Sequence, residues 1–239
     1  MSQDTAGRAT PVGENRILTA LPASEREQLF GVVRNVMLPV KTVLFEPGAA
    51  IEALYFPVNG VISLVTPLHD GAIVEVATIG NEGIVGVPLV PLGGLAVRAI
   101  SQVAGRSLRI EATEFLAFFN RSSAFQSLVE RYTQALFGQI SQAAACNRLH
   151  SSEERLSRWL LMSHDRVGAD EFMITQEFLG QMLGARRSTV SVSAGILQRA
   201  GLEAVSCECY AVIRAELDRV VSPQRQPAQR TSPEPRQAS

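Results

Sequence analysis

Cysteine, histidine and tryptophan are scarce in this sequence, with three, three and one in 239 residues. Three thiols, an odd number in a chain of this size, point to reduced cysteines and away from a disulfide framework. Long apolar runs are missing as well: none approaches the ~20 residues that span a bilayer. The opening "MSQDTAGRAT" lacks the basic start and apolar centre of a signal peptide, so a cytoplasmic protein off the membrane is expected. There is no basic excess either. Twenty-two Lys and Arg against 23 Asp and Glu give a formal net charge of -1, so any nucleic-acid binding must come from a local basic surface. Neither a phosphate loop, a zinc-hydrolase helix nor a nucleophile elbow occurs, which argues against an enzyme.

What is present is 46% hydrophobic content, enough to bury the cores of two domains. Both ends, the first dozen residues and "SPQRQPAQRTSPEPRQAS" from Ser222, are polar or Pro-rich and are expected to be disordered. Ser24 with Glu27 reads as a capping box, starting a short helix in "SEREQLFGVV". Between Arg34 and Ile110 the chain offers short β-rich runs: "NVMLPV", "TVLFEP", "ALYFPV", "GVISLVT", "AIVEVATI", "AVRAISQV" and "RSLRIE". Pro47-Gly48, Asn59-Gly60, Asp70-Gly71, Gly93-Gly94 and Ala104-Gly105 punctuate them as turns. Many short strands without intervening helices predict an antiparallel roll or jelly roll.

After Glu111 helix formers take over. "EATEFLAFFN" reads as a short helix, and "SSAFQSLVERYTQALFGQISQAAACNRL" as a long one of about 26 residues, roughly 39 Å. Its stripe Phe125, Leu128, Tyr132, Leu136, Ile140, Ala143 and Asn147 suits packing on its own domain or pairing with a second copy. The length, together with the small residues Gly138, Ala143, Ala144 and Ala145, favours dimerisation. "SSEERLSRWLLMSH" predicts a helix capped by Ser151 or Ser152, with Leu156, Trp159, Leu160 and Ser163 inward.

"ITQEFLGQMLGARRSTVSVSAGILQRAGL" is the most informative stretch. Thr175 can cap a helix carrying Phe178, Leu179, Met182 and Leu183 on one face, and Gly184 can end it in the left-handed conformation. A turn of three or four residues leads to a second helix with Val190, Ala194 and Leu197 inward. Its outer face, with Arg187, Ser188, Ser191, Val192 and Gln198, carries no acid. Two short helices around a tight glycine turn fit a helix-turn-helix whose second helix enters the major groove, or an ordinary helical hairpin.

On these residues, with "FEPG", "YFPVNGVISLV" and "RLSRWLL", the chain resembles the Crp/Fnr family of transcriptional regulators. The resemblance implies an α+β chain with an effector β-roll over residues 15–121, a dimerisation helix over 122–150, a helix-turn-helix domain over 151–221 and a tail over 222–239. It places Arg187, Ser188, Ser191 and Val192 at base-reading positions, with Arg186 and Thr189 nearer the phosphates. Double-stranded DNA and a second copy of the chain are the implied partners, with RNA polymerase and a small anionic effector as further candidates. In "IGNEGIVGVPLVPLGGLAVRAISQV", Gly86 and Arg98 match the family's cyclic-phosphate cassette. Val87 stands where relatives carry a ribose-binding glutamate and Ala99 where a hydroxyl is usual, which speaks against cyclic AMP. Glu82, out of register, reads as a solvated turn residue. Four spaced cysteines for an iron-sulfur cluster are absent, and there is no haem signature.

Cys207 and Cys209, two apart on a helix, point away from each other, so packing is expected of Cys209 on a stripe Leu202, Val205, Cys209 and Val212, and of Cys146. His69, His150 and His164 are scattered, and no metal site is expected. One departure from the family stands out. Relatives run through a short basic hairpin, the wing, after the recognition helix. Here Gly201 and Leu202 pass into "EAVSCECYAVIRAELDRVV", which has helical spacing and no β-alternation. Loss of the wing would remove phosphate contacts, each worth about 0.9 in the logarithmic salt slope. The alternative function is therefore an effector-binding dimer that has lost specific DNA binding and acts through protein partners.

Overall fold

The computed structural model describes residues 14–69, 71–87, 96–167, 174–200 and 208–222. Helices α1 (Arg16–Thr19) and α2 (Ala23–Phe30) precede strands β1 (Arg34–Leu38), β2 (Val43–Phe45), β3 (Ala53–Pro67), β4 (Ile73–Ile79) and β5 (Arg98–Glu111). Helices α3 (Ala112–Arg121), α4 (Ser123–Leu149), α5 (Ser152–Val167), α6 (Gln176–Leu183), α7 (Arg187–Ala200) and α8 (Glu208–Val221) follow. This is the α+β order expected from composition and spacing. None of these helices is long and apolar enough to cross a membrane. The expected disordered ends lie outside the described residues, apart from Ser222.

All pairings in the sheet are antiparallel, in the order β1-β5-β3-β4 with β2 on β5. Gly71 falls between β3 and β4, as a hairpin turn should, and takes φ 82°, while Asp70 lies outside the described residues. Asn59-Gly60 and Ala104-Gly105 do not turn the chain. Each lies within a long strand, and they face each other across an irregular stretch of the β3–β5 ladder where Asn59 pairs Arg106 and Val61 pairs Val103. Gly60 approaches Gly105 so closely that a Cβ on either would meet the other's backbone. The glycines serve cross-strand approach at a bend, which local sequence does not distinguish from a turn.

Ser24 lies inside α2, whose N-cap is Pro22 without a side-chain hydrogen bond, so the expected capping box does not form. Asn15 instead caps α1: its Oδ1 accepts from the Ile17 and Leu18 amides, and its Nδ2 donates to the Pro57 and Gly83 carbonyls at 3.0 and 2.8 Å. Four satisfied bonds let this polar side chain be buried at low cost.

The stripe assigned to α4 turns inward. Phe125, Leu128, Tyr132 and Leu136 pack into the β-roll core, with Ile140 at its margin, while Asn147 is exposed. Helix α8 folds back along α4, burying Ile213, Leu217 and Val220 in the same core. Its buried row is therefore Cys209, Ile213, Leu217 and Val220. Val212, placed on the stripe by sequence, is largely exposed, and Leu202 and Val205 lie outside the described residues.

A second core joins Leu156 and Trp159 of α5, Leu179, Met182 and Leu183 of α6 and Val190 of α7 to Val65 of β3. The helical unit is thereby seated on the end of the β3–β4 hairpin.

Candidate nucleic-acid interface

Local signals position α6 and α7 much as the sequence indicates. Thr175 caps α6, its Oγ1 accepting from the Phe178 amide at 3.2 Å. Gly184 ends the helix at φ 59°, ψ 38°, the left-handed cap that glycine adopts without a Cβ clash. Ser151 and Glu154 form a reciprocal capping box at the start of α5: the Ser151 amide donates to the Glu154 carboxylate at 2.8 Å, and the Glu154 amide to Ser151 Oγ at 3.3 Å. Val190 is buried, with Ala194 and Leu197 packed beside it, as their spacing requires.

The opposite face of α7 is open. Arg186, Arg187, Ser188, Ser191 and Val192 are exposed and Thr189 is half-buried. Val192 exposes 62% of its surface, so an apolar side chain stands open to solvent beside these polar groups. The first turn of α7 carries no acidic side chain. Its unpaired N–H groups and the two adjacent guanidiniums give that end a positive field suited to phosphate. Ser191 Oγ lies 2.6 Å from Gln176 Oε1 and 3.0 Å from the Arg187 carbonyl, so it is held in place between the two helices.

Two residues that sequence reasoning overlooked hold α6 and α7 against α5. Buried Ser193 donates to Glu153 at 2.8 Å, and this bond is the main cause that holds the Glu153 carboxyl below its ordinary range. Arg155 of α5 donates to the Leu183 carbonyl at the end of α6. Three serines in "STVSVS", Ser188, Ser191 and Ser193, hide which hydroxyl faces inward, and only the phase set by Val190 could have singled out Ser193.

The effector cassette is partly visible. Gly86 has φ 107° and packs on Leu54 and Ile51, and Val87 is buried. Arg98 lies on β5 opposite Val65 and donates to Glu46 at 2.8 Å. Residues 88–95 lie outside the described residues, so the middle of the cassette does too.

Glu82 is not a solvated turn residue: it is 6% exposed and bonds Arg166 of α5 through Nε at 2.7 Å. Beside this pair, a cavity of about 230 Å³ is lined by charged groups including Arg16, Asp165, Arg214 and Asp218. Arg16 pairs Asp218, and Arg214 pairs Asp165. Cys146 and Cys209 are buried, as their packing role implies, but His150 lies between them, a convergence that the sequence does not suggest. Cys207 and the junction 201–207, where a wing would fall, lie outside the described residues.

Residues 154–215 match the family of the Crp-like helix-turn-helix domain. No curated protein matches the sequence. Among solved structures, FixK2 from Bradyrhizobium japonicum superposes with a TM-score of 0.62 at 15% identity, covering 71% of this chain and 86% of its own. The c-di-GMP responsive global regulator CLP of Xanthomonas campestris gives 0.57 at 17% identity, over 76% of this chain and 94% of its own. A CRP-family transcriptional regulator from Thermus thermophilus gives 0.58 at 15% identity, over 77% and 96%. The chain thus carries a Crp-like helix-turn-helix domain within the fold of the Crp/Fnr-type transcriptional regulators.

Proposed function

We propose that the protein is a cytoplasmic transcription regulator that binds DNA as a homodimer on a two-fold symmetric operator. The observation that carries this reading is the outward face of α7, where Arg186, Arg187, Ser188, Ser191 and Val192 stand exposed beside an acid-free helix N-terminus. Arg187 suits two hydrogen bonds to a guanine edge, and Val192 suits contact with a thymine methyl. Arg186 and Thr189 suit phosphate contacts that set register. Selection from a random duplex pool should return a palindrome whose half-sites lie about 34 Å apart. Arg187→Ala should weaken that site by about 1–3 kcal/mol, roughly 5- to 150-fold, and relax one base position. A pool with no enriched palindrome at low salt would instead support the reading in which the protein acts through protein partners.

The dimer reading rests on the face of α4 that points away from its own domain. Phe137 is 70% exposed, Gln134, Ser141, Ala144, Ala145 and Arg148 share its face, and nothing lies within 4 Å of a Cβ built on Gly138. A large aromatic flanked by small residues at three- and four-residue steps fits close helix pairing about a two-fold axis. Burying Phe137 should contribute about 1.5–3 kcal/mol per subunit. Phe137→Glu is expected to convert a dimer to monomer in sedimentation velocity. An unchanged dimer would place the interface elsewhere.

The signal that controls the protein is proposed to be a small anionic effector or a redox change. Arg98, the cassette cation, is held by Glu46, so an anion there would have to compete with a carboxylate. The apolar Val87 and Ala99 offer no group for a ribose.

A further inference from the structure

We infer that Cys146, His150 and Cys209 form a binding site for a soft divalent cation of the zinc type, clamping α8 to the junction between α4 and α5. The two sulfurs and one ring nitrogen all lie within 4.8 Å of one another. Cys146 Sγ is 3.2 Å and Cys209 Sγ 3.7 Å from His150 Nδ1. In a tetrahedral site with ordinary zinc–sulfur and zinc–nitrogen bonds, the edges between donor atoms are about 3.5–3.8 Å. The two sulfur–nitrogen separations lie within about 0.4 Å of the sulfur–nitrogen edge, and the two sulfurs are within 4.8 Å of each other, so an ion could sit between the three donors after side-chain shifts of up to about 1 Å. Thiolate and imidazole together select zinc-like ions over magnesium or calcium.

Three features of the chain assemble the donors. Cys146 and His150 are four residues apart, which puts them on one face at the last turn of α4. His150 is the C-cap, with extended φ -95°, ψ 152°, and its partly exposed ring gives a route in from solvent. Cys209 comes from the first turn of α8, which returns along α4. Gln142, one turn before Cys146, donates from Nε2 to Cys209 Sγ at 2.9 Å. An amide N–H on a sulfur favours the thiolate and fixes its direction, the role that outer hydrogen bonds play around metal ligands.

Coordination would form two metal–sulfur bonds and one metal–nitrogen bond and release the two thiol protons to solvent. Nδ1 faces both sulfurs, so the imidazole would bind as the tautomer with its proton on Nε2. Dipositive ion and two thiolates leave the buried cluster without net charge, which lowers the cost of placing it in the interior. Three protein donors leave the fourth tetrahedral position to water or an outside ligand. The site joins the end of the long helix to the helix that follows α7, so occupancy would fix the junction between the β-roll and the DNA-binding unit. That regulatory consequence rests on the proposed function; the binding of the ion does not.

The test is titration of the full-length, reduced, metal-stripped protein with cobalt(II). The expected result is one cobalt per chain, with visible bands of a tetrahedral ion and a near-ultraviolet thiolate charge-transfer band, all displaced by one equivalent of zinc. Cys146→Ser and Cys209→Ser should each abolish stoichiometric binding. Gln142→Leu, which leaves all three donors in place, should weaken it about tenfold. Wild-type protein without thiolate bands at one equivalent would overturn the site, as would Cys146→Ser protein with wild-type bands. So would a Cys146–Cys209 disulfide formed readily with hydrogen peroxide in protein that binds no cobalt, since the pair would then be a redox switch. DNA affinity with and without zinc is measured separately, so a protein that fails to bind DNA still reports on the ion.

Discussion

Glu82→Ala is expected to destabilise the protein by about 3–5 kcal/mol, the cost of leaving a buried guanidinium without its counter-charge. Arg166 exposes 4% of its side chain and Glu82 7%, with Nε and Oε1 2.7 Å apart. The same carboxylate accepts the Gly80 amide at 3.1 Å, so the variant also loses that acceptor. Among the described residues, Arg166 would keep a hydrogen bond to the Met162 carbonyl of its own helix, at 3.3 Å. Its alkyl stem runs across Gly80 so closely that a Cβ there would strike it, which leaves the side chain little room to reach solvent. The phenol of Tyr132 is pushed up chiefly by burial and next by the Glu82 charge.

Urea midpoints give the loss directly. A second variant isolates its cause: Glu82→Ala with Arg166→Met removes both charges and should recover most of the lost stability, because a buried pair contributes little net stability relative to apolar replacements. If the double variant is as unstable as Glu82→Ala, an unpaired charge is not the reason. Glu82 follows β4 and Arg166 ends α5, so the pair ties the β-roll to the first helix of the DNA-binding unit. Faster amide exchange in α5 should accompany the single substitution.

Local chemistry explains which parts of this structure could be read from the sequence. Thr175, Gly184 and Val190 act within one turn of their own positions, so the helix-turn-helix was legible from caps and phase. The α4 stripe was legible as a buried face but not as to what covers it. Periodicity is the same whether the cover is a second subunit or the chain's own β-roll and α8. Glu82 was misread because its partner lies 84 residues away, and no spacing rule reaches that far. Cys209 and His150 are 59 residues apart, and they meet only because α8 returns along α4. Asn59-Gly60 and Ala104-Gly105 carry turn chemistry that the β3–β5 ladder uses for close approach, so tertiary pairing overrode a local preference.

Raising the pH from about 4.5 to about 7 is expected to destabilise the wild-type protein through Glu75 on β4. Its carboxyl is pushed up from 4.5 to about 7, first by burial. The Ser63 hydroxyl, which donates to it at 2.6 Å, and the Arg158 and Arg166 charges and the Trp159 indole of α5 pull the other way without winning. The unfolded carboxyl loses its proton near its ordinary value and the folded one near 7, so the unfolded chain binds fewer protons between them. Stability therefore falls with pH across that window and is level above it. The full difference corresponds to roughly 3 kcal/mol. Glu75 keeps some solvent contact, which screens the effect to about 2 kcal/mol. Glu75→Gln keeps an oxygen for Ser63 and has no charge to desolvate. It should match wild type near pH 4.5 and exceed it by about 2 kcal/mol at pH 8, read from urea midpoints at the two pH values. Parallel pH profiles for the two proteins would assign the dependence to another group. Glu75 lines a small cavity with Arg158 and Trp159 of α5 and Ile213 of α8. Its ionisation therefore changes the charge at the meeting point of β-roll, α5 and α8 close to neutral pH.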